Sequence, residues 1–559
     1  MKIIVVGSVA AGTSVAAKAR RNTESAEIVI YERDRDVSYS GCGLPYFIGG
    51  EVDDIESLRP RDAAWFAKRY HVAMHTRHEV TAVDHEARTV TVHRLDTGET
   101  FTDTFDVLVL ATGVSSIVPP IPGRDVPGVF TLRSPGDAEQ VRAFVDRWQP
   151  ANAVIVGAGY IGLEAAEQLR GRGMSVTIVE AQPHAMPRMD PDMSARVDEE
   201  LRRHGVDLRT GVSVASIEGG AGVQGVTLAD GQQLPADLVL LAVGVRPNIE
   251  LAAQIGAQLG PTGAVAVDRS MRTSIADVYA VGDVAESYSV ITGEPMWVPL
   301  GSTANKMGRI AGHVITGGEI EHRGVLGTSI VRVFDLAVGQ TGLTETAARA
   351  AGYDVEVLHN IKPDHSEYLG GRQMVIKAVA DRATSRLLGA QVVGPLGVDK
   401  RVDVLATAIS FGATVGDLFH LDLAYAPPFA TTKDPVHYTG MALDGAINGH
   451  APLITPAELL SRVASGETWQ VVDVRSEADH AKGHVDGAVS IPLKQLRERA
   501  GELDPTLPTV TYCNKGTTGN AGQNVLRNLG FERVYNLSGG NSNYQAYRSA
   551  GLHEQVTTH

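Results

Sequence analysis

The residues best able to do covalent chemistry are Cys42 and Cys513, the only two cysteines in a chain of 559 residues. They stand 471 positions apart (513 − 42). No CxxC pair exists, so neither a local dithiol, a zinc site nor a disulfide framework is expected, and no metal is assigned. Each thiol must act alone, as a thiolate that forms a mixed disulfide, persulfide or sulfenic acid with a partner from outside. Cys42 lies in Ser38-Tyr39-Ser40-Gly41-Cys42-Gly43-Leu44-Pro45. Gly43 and Pro45 shape a turn at a helix start, which predicts a lowered thiol pKa. Cys513 ends the strand Thr509-Val510-Thr511-Tyr512, and Asn514-Lys515-Gly516-Thr517-Thr518-Gly519 follows, with a helix expected from about Asn520. Such a loop wraps N–H groups around the sulfur at a helix N-terminus, which stabilises thiolate and persulfide.

Two glycine loops come next. Gly157, Gly159 and Gly162, with Tyr160 and Ile161 between them, follow a strand-like run and open a helix, and Glu180 ends the next strand. This spacing suits a dinucleotide: the glycines give the tight turn and close approach of backbone to pyrophosphate, and the helix N-terminus supplies N–H groups. A carboxylate at Glu180 suits free ribose hydroxyls and repels a 2′-phosphate. Residues 181–184 hold no arginine to receive that phosphate, so NADH is expected in preference to NADPH. The first loop has Gly7, Ala10 and Gly12, but Val9 stands in the middle-glycine position, and Glu32 ends its second strand. Two further segments support this first site. One is a strand ending in Ala111-Thr112-Gly113; the other ends in Asp283, a carboxylate suited to the hydroxyls of a ribityl chain.

The elements around these residues set the architecture. Length predicts three or four domains. Hydrophobic residues make up 43% and charged residues 21%, which supplies several cores. A net charge of −15 argues against nucleic acid or an anionic membrane as main partner. No apolar run reaches membrane-spanning length, and the N-terminus reads as a buried strand rather than a signal peptide, so a soluble cytoplasmic protein is expected. Residues 1–32 and 152–180 repeat one βαβ plan. Residues 320–440 mix strands with a helix at 399–411, residues near 440–455 read as a linker, and 456–559 suits one more small α/β domain.

In this order the motifs of residues 1 to about 440 resemble the pyridine nucleotide–disulfide oxidoreductases, flavoproteins with two dinucleotide sites. The resemblance implies FAD at the first loop, with Arg33, Val80, Thr112, Gly113 and Asp283, and a nicotinamide at the Gly157 loop, with Gly244. It implies an FAD domain of 1–115 and 245–320, an NADH domain of 116–244, a dimerisation domain of 321–445, a linker of 446–455, and homodimers. The segment around the lone Cys42 resembles the single-cysteine branch, which includes coenzyme A disulfide reductases, persulfide or polysulfide reductases, and NADH oxidases and peroxidases. The oxidases and peroxidases typically carry a histidine where this chain has Ala10. The coenzyme A disulfide reductases carry a tyrosine in a segment like Leu423-Ala424-Tyr425-Ala426-Pro427-Pro428, a lysine like Lys433, and a segment like His365-Ser366-Glu367-Tyr368. Their two tyrosines reach the cysteine from the partner subunit and can protonate the leaving thiolate. Ser14, Lys18 and Arg21 share one helix face, and with Ser38 they match that group's coenzyme A positions. Asn305, beside Lys306, stands for a histidine of that group, and Gly41 for its asparagine.

Residues 471–477 and 483–493, with the Cys513 loop and Leu537-Ser538-Gly539-Gly540, resemble the rhodanese fold, so 456–559 is expected to be a rhodanese domain. Rhodanese loops often hold an arginine near position 518. Here Thr518 stands there with Lys515 as the only cation, which predicts a poor thiosulfate site. The resulting expectation is a doubly dinucleotide-binding α/β oxidoreductase. Cys42 reduces coenzyme A disulfide, coenzyme A persulfide or polysulfide, aided by Tyr368 and Tyr425, and Cys513 carries sulfane sulfur. The alternatives are a sulfurtransferase with an ancillary reductase, an NADH oxidase or peroxidase, and a non-enzymatic redox sensor.

Overall fold

The structure, a computed structural model, describes residues 1–553; the end of the expected C-terminal domain, 554–559, lies outside the described residues. The chain divides into two compact units, Met1–Ala181 with Val206–Val325, and Gln182–Gly205 with Leu326–His559.

The first unit holds two parallel five-stranded sheets. One runs Val278–Ala280, Val107–Leu110, Lys2–Val6, Glu27–Tyr31, Ala73–His75. The other runs Asp207–Thr210, Ser175–Glu180, Asn152–Val156, Leu238–Leu241, Val129–Thr131. Their central strands are fully buried β-branched runs such as Ile3-Ile4-Val5, as expected of parallel sheets covered on both faces. Each glycine loop leaves the C-terminal end of a central strand and opens a helix, Ala10–Asn22 or Tyr160–Gly171, where ligands of such sheets bind. The expected boundaries near 115 and 245 fall on a ribbon in which Val114–Ser116 pairs antiparallel with Val245–Pro247.

The second unit begins with an antiparallel five-stranded sheet. Its order is Ser329–Val333, Leu336–Gly342, Leu387–Gly394, Gln373–Asp381, Val355–Pro363. A parallel five-stranded sheet follows, ordered Leu453–Ile454, Val534–Leu537, Thr509–Tyr512, Gln470–Asp473, Val489–Ser490. The expected linker is corrected here. The helix Pro435–Ile447 runs into the range 446–455, and Leu453–Ile454 pairs with Asn536 and Leu537 as the edge strand of the parallel sheet. Glycine and proline there mark a turn between two ordered elements rather than a tether. The expected NADH domain, 116–244, is also interrupted: 182–205 groups with the second unit.

Buried charge explains that grouping. Lys377 is 2% exposed, and its Nζ lies 3.2 Å from Asp190, 2.9 Å from Asp192 and 2.9 Å from Glu345. Burial alone would lower the Lys377 pKa, but these carboxylates hold it above the ordinary lysine value. Burial would raise Asp190 and Asp192, yet Lys377 holds both below the carboxylate range. His359, directly across the strand pair from Lys377, bonds Asp192 through Nε2. Its N–H donates 2.7 Å to Ser538 Oγ of the C-terminal domain. Helix Pro191–Arg203, both sheets and the C-terminal domain therefore meet on one polar cluster.

Lys377→Met strands these carboxylates and is expected to lower the stability of this unit by about 3–5 kcal/mol in urea melts. The cluster's contribution is expected to be complete between roughly pH 4 and pH 10. It is lost as pH falls through the depressed Asp190 and Asp192 values, and as pH rises through the elevated Lys377 value.

Candidate active site

The second glycine loop is shaped by steric limits. Gly157 has φ +108°, and a Cβ there would meet Ala242 O at 2.5 Å. A Cβ on Gly162 would meet Gly157 O at 2.1 Å. Gly159 differs: no atom lies within 4 Å of its Cβ position, so that glycine keeps space open above the loop, which fits a pyrophosphate. Glu180, expected at the ribose, accepts a 2.8 Å hydrogen bond from the Ala158 N–H, so its charge sits at the loop itself. Gly244 has φ +115°, and its carbonyl accepts from the Ile117 N–H.

The first loop uses the same device. Glu32 accepts from the Ser8 N–H and hydroxyl at 2.9 Å each, and from the Asp34 N–H. Val9 caps the helix without a side-chain bond, and Ala10 begins it. Thr112 is tied to Asn248 in both directions, and Asn248 N–H reaches the Gly113 carbonyl. Ala111 N–H bonds Val6 O, closing the strand pair beside Gly7. Arg33 is exposed, whereas Val80 packs in the core, which leaves only its backbone for a ligand. Burial pushes the Asp283 pKa up, with Arg133 opposing, and among the described residues its carboxylate accepts no side-chain or backbone hydrogen bond. A half-buried acceptor left open fits the hydroxyls of a ribityl chain.

Cys42 sits in the turn Gly41–Gly43, immediately before the helix Leu44–Gly49. Its side chain is exposed. The expected lowering of its pKa is corrected: the surrounding protein raises it, as do the carboxylates of Glu164 and Asp283, and Arg133 only partly offsets them. Loss of solvation is the larger cause, and the two nearby negative charges add to it.

Close to Cys42 in sequence, a groove of about 510 Å³ is lined by Ser14, Lys18, Arg21, Ser38 and Asn305, so five of the expected substrate-binding residues share one wall. Ser14 Oγ donates 2.7 Å to Asn305 Oδ1. Lys306 does not line the groove; its charge, after burial, helps lower the His322 pKa to about 4. Arg61, Trp65, Tyr70 and Arg309 also line the groove and were missed. Arg61 stacks 4.9 Å over Trp65, and Arg21 5.3 Å over Tyr70 while donating to its hydroxyl. Basic and aromatic residues interleaved along 59–70 (Arg61, Trp65, Phe66, Lys68, Arg69, Tyr70) were the available signal. The groove is built for a phosphate-bearing ligand with an apolar or aromatic part.

In the second unit Tyr368 and Tyr425 are 77% and 51% exposed. Thr432 donates to the Tyr425 hydroxyl at 3.3 Å. Cys513 is buried. The helix after it starts at Thr517 rather than near Asn520, and one N–H, that of Gly516, points at Sγ, at 3.2 Å. Asp473, fully buried, holds Arg475 and the Tyr512 hydroxyl, and Arg475 reaches Asn514 Oδ1 at 2.9 Å. The expectation of Lys515 as the only cation here is corrected. Lys362 Nζ donates 2.8 Å to Thr517 Oγ1 and lies 3.9 Å over the Tyr438 ring, which Lys433 approaches at 5.8 Å.

The pyridine nucleotide-disulphide oxidoreductase family matches residues 1–308, its dimerisation domain 328–435, and the rhodanese-like domain 455–547. An NAD(P)H sulfur oxidoreductase (CoA-dependent) of Pyrococcus furiosus is 41% identical over 78% of this chain and 97% of its own length. The reduced CoADR-RHD of Bacillus anthracis superposes with a TM-score of 0.95 at 35% identity, covering 98% of both chains. An NAD-dependent persulfide reductase from A. fulgidus superposes at 0.89 with 36% identity, covering 97% of this chain and 100% of its own.

Gly159→Val is expected to fold, because its side chain enters open space, and to raise the KM for the second dinucleotide at least about tenfold. Steady-state kinetics read that rise, and the visible spectrum reads retention of the first cofactor.

Proposed function

In a chain that belongs to the pyridine nucleotide-disulphide oxidoreductases, with their dimerisation domain and a rhodanese-like domain behind it, we propose an NADH-dependent reductase of coenzyme A disulfide, coenzyme A persulfide or polysulfide. The carrying observation is one exposed thiol, Cys42, with no second thiol in its unit, close in sequence to a basic and aromatic groove suited to the phosphates and adenine of coenzyme A. The first loop, Glu32, Thr112, Gly113 and Asp283 would hold FAD, and the Gly157 loop the nicotinamide dinucleotide. When bound, these cofactors supply the electron pair that returns oxidised Cys42 to thiolate. Cys42 thiolate attacks one sulfur of the substrate; its new S–S bond replaces the old one, and the displaced sulfur leaves with the electron pair. We place the protein in the cytoplasm as a homodimer, in which exposed Tyr368 and Tyr425 serve the opposite Cys42 and protonate the leaving thiolate. Lys433 belongs to the same surface. Cys513 carries sulfane sulfur. Among the described residues no helix is long and apolar enough to cross a membrane. Peroxide chemistry is disfavoured by Ala10, which offers no imidazole.

Steady-state NADH consumption on coenzyme A disulfide, coenzyme A persulfide, polysulfide and peroxide, run side by side, tests this reading. Cys42→Ser is expected to abolish turnover on all the sulfur substrates while FAD stays bound. Wild-type-like turnover would end the single-thiol mechanism, and sulfur transfer that survives with no reductase activity in the parent would favour the sulfurtransferase. The Glu180 charge at the loop is expected to give NADH a higher kcat/KM than NADPH, and the reverse order would overturn that assignment.

A further inference from the structure

Sulfur transfer onto a cysteine brings like charges together. A thiolate attacking the outer sulfur of thiosulfate forms a Cys–S–S⁻ bond and breaks the old S–S bond. Sulfite leaves with that electron pair, and the total charge of −3 is unchanged. Such an encounter needs fixed positive charge at the site. The Cys513 loop supplies little of its own. Gly516 gives a single N–H to the sulfur, and Arg475 is spent on Asp473 and Asn514. Lys515 is drawn toward Glu367, 4.0 Å away.

The missing charge comes from another domain. Lys362 stands at the end of the strand Val355–Pro363, outside the rhodanese-like domain. Its ammonium is tethered to Thr517 Oγ1, the first residue of the helix that follows the Cys513 loop, and packs on Tyr438. Burial lowers its pKa, Cys513 raises it, and Lys515 and Lys433 lower it again. The charged groups around the thiol's loop are thus Lys362 from the other domain, with Lys433 beyond it over Tyr438, Lys515 with Glu367, and Arg475 with Asp473. We propose that Lys362 is the positioning residue of the Cys513 site. It completes that site from the dimerisation domain and makes it selective for anionic sulfur donors, whether the charge is on an oxyanion or on the phosphates of coenzyme A persulfide.

The role given to Lys362 rests on reading Cys513 as a sulfur carrier, whereas alkylation reads the charge beside the thiol whatever Cys513 carries. In full-length, FAD-loaded Cys42→Ser protein, Cys513 is the sole thiol. The ratio of its alkylation rates by iodoacetate and iodoacetamide is expected to fall roughly tenfold in Lys362→Gln and to hold in Lys362→Arg. Lys362→Met, which keeps the stem over Tyr438, carries the same expectation if the glutamine variant melts early. An unchanged ratio in the folded variants overturns the assignment. Sulfur transfer to cyanide from thiosulfate and from coenzyme A persulfide separates the donors: kcat/KM is expected to fall on both and to lose salt dependence. A fall on one alone identifies which anion the site receives, and no fall on either overturns the donor class. A parent that alkylates as expected but transfers no sulfur overturns the carrier reading and leaves the charge assignment standing.

Discussion

An ammonium buried to 2% exposure, that of Lys377, cannot keep its charge without its carboxylates, and the second unit is arranged around that requirement. Asp190 and Asp192 come from 182–205, Glu345 from a short helix of the dimerisation domain, and His359 from the neighbouring strand. The same His359 donates its N–H to Ser538, so the cluster that neutralises Lys377 also docks the C-terminal domain. Lys362 lies three residues further along the His359 strand. The desolvated cluster therefore fixes where the Cys513 loop meets its cations. Buried ion networks are weak evidence for net stability, but they are unforgiving of misplacement, and here that strictness sets the register between two domains.

The two thiols are housed in opposite ways. Cys42 is exposed, and Glu164 and Asp283 oppose its ionisation. Cys513 is buried, with one N–H aimed at the sulfur and the Lys362 ammonium tethered at the start of the helix that follows its loop. An exposed thiol suits bulky disulfides and persulfides that bring their own charge, which in the proposed function would be received away from the sulfur by the groove lined by Lys18, Arg21, Arg61 and Arg309. A buried thiol suits a small or extended donor, and its counter-charge must stand at the sulfur itself. Reductive and transfer chemistry thus divide their electrostatics differently on one chain.

The amino-acid order alone determined the parallel sheets, the placing of both glycine loops at strand ends, and the pairing of a lone redox thiol with a rhodanese-like thiol. Those features are local: βαβ patterns, turn residues and apolar runs act within about thirty residues. Ser14, Lys18 and Arg21 were legible as neighbours on one helix face, a pattern that alone reads as a solvated charged face; the family resemblance singled them out. What only the tertiary structure decided are quantities summed over distant residues. The upward Cys42 shift comes first from enclosure by the surrounding protein and then from Glu164 and Asp283, both more than a hundred positions away. The apparent linker became an edge strand because Leu453 and Ile454 found Asn536 and Leu537. The cation tethered beside the Cys513 loop was hidden because Lys362 belongs to another domain's strand. Electrostatic and pairing energies follow distance in space, and the chain order carries no record of those distances until the sheets have formed.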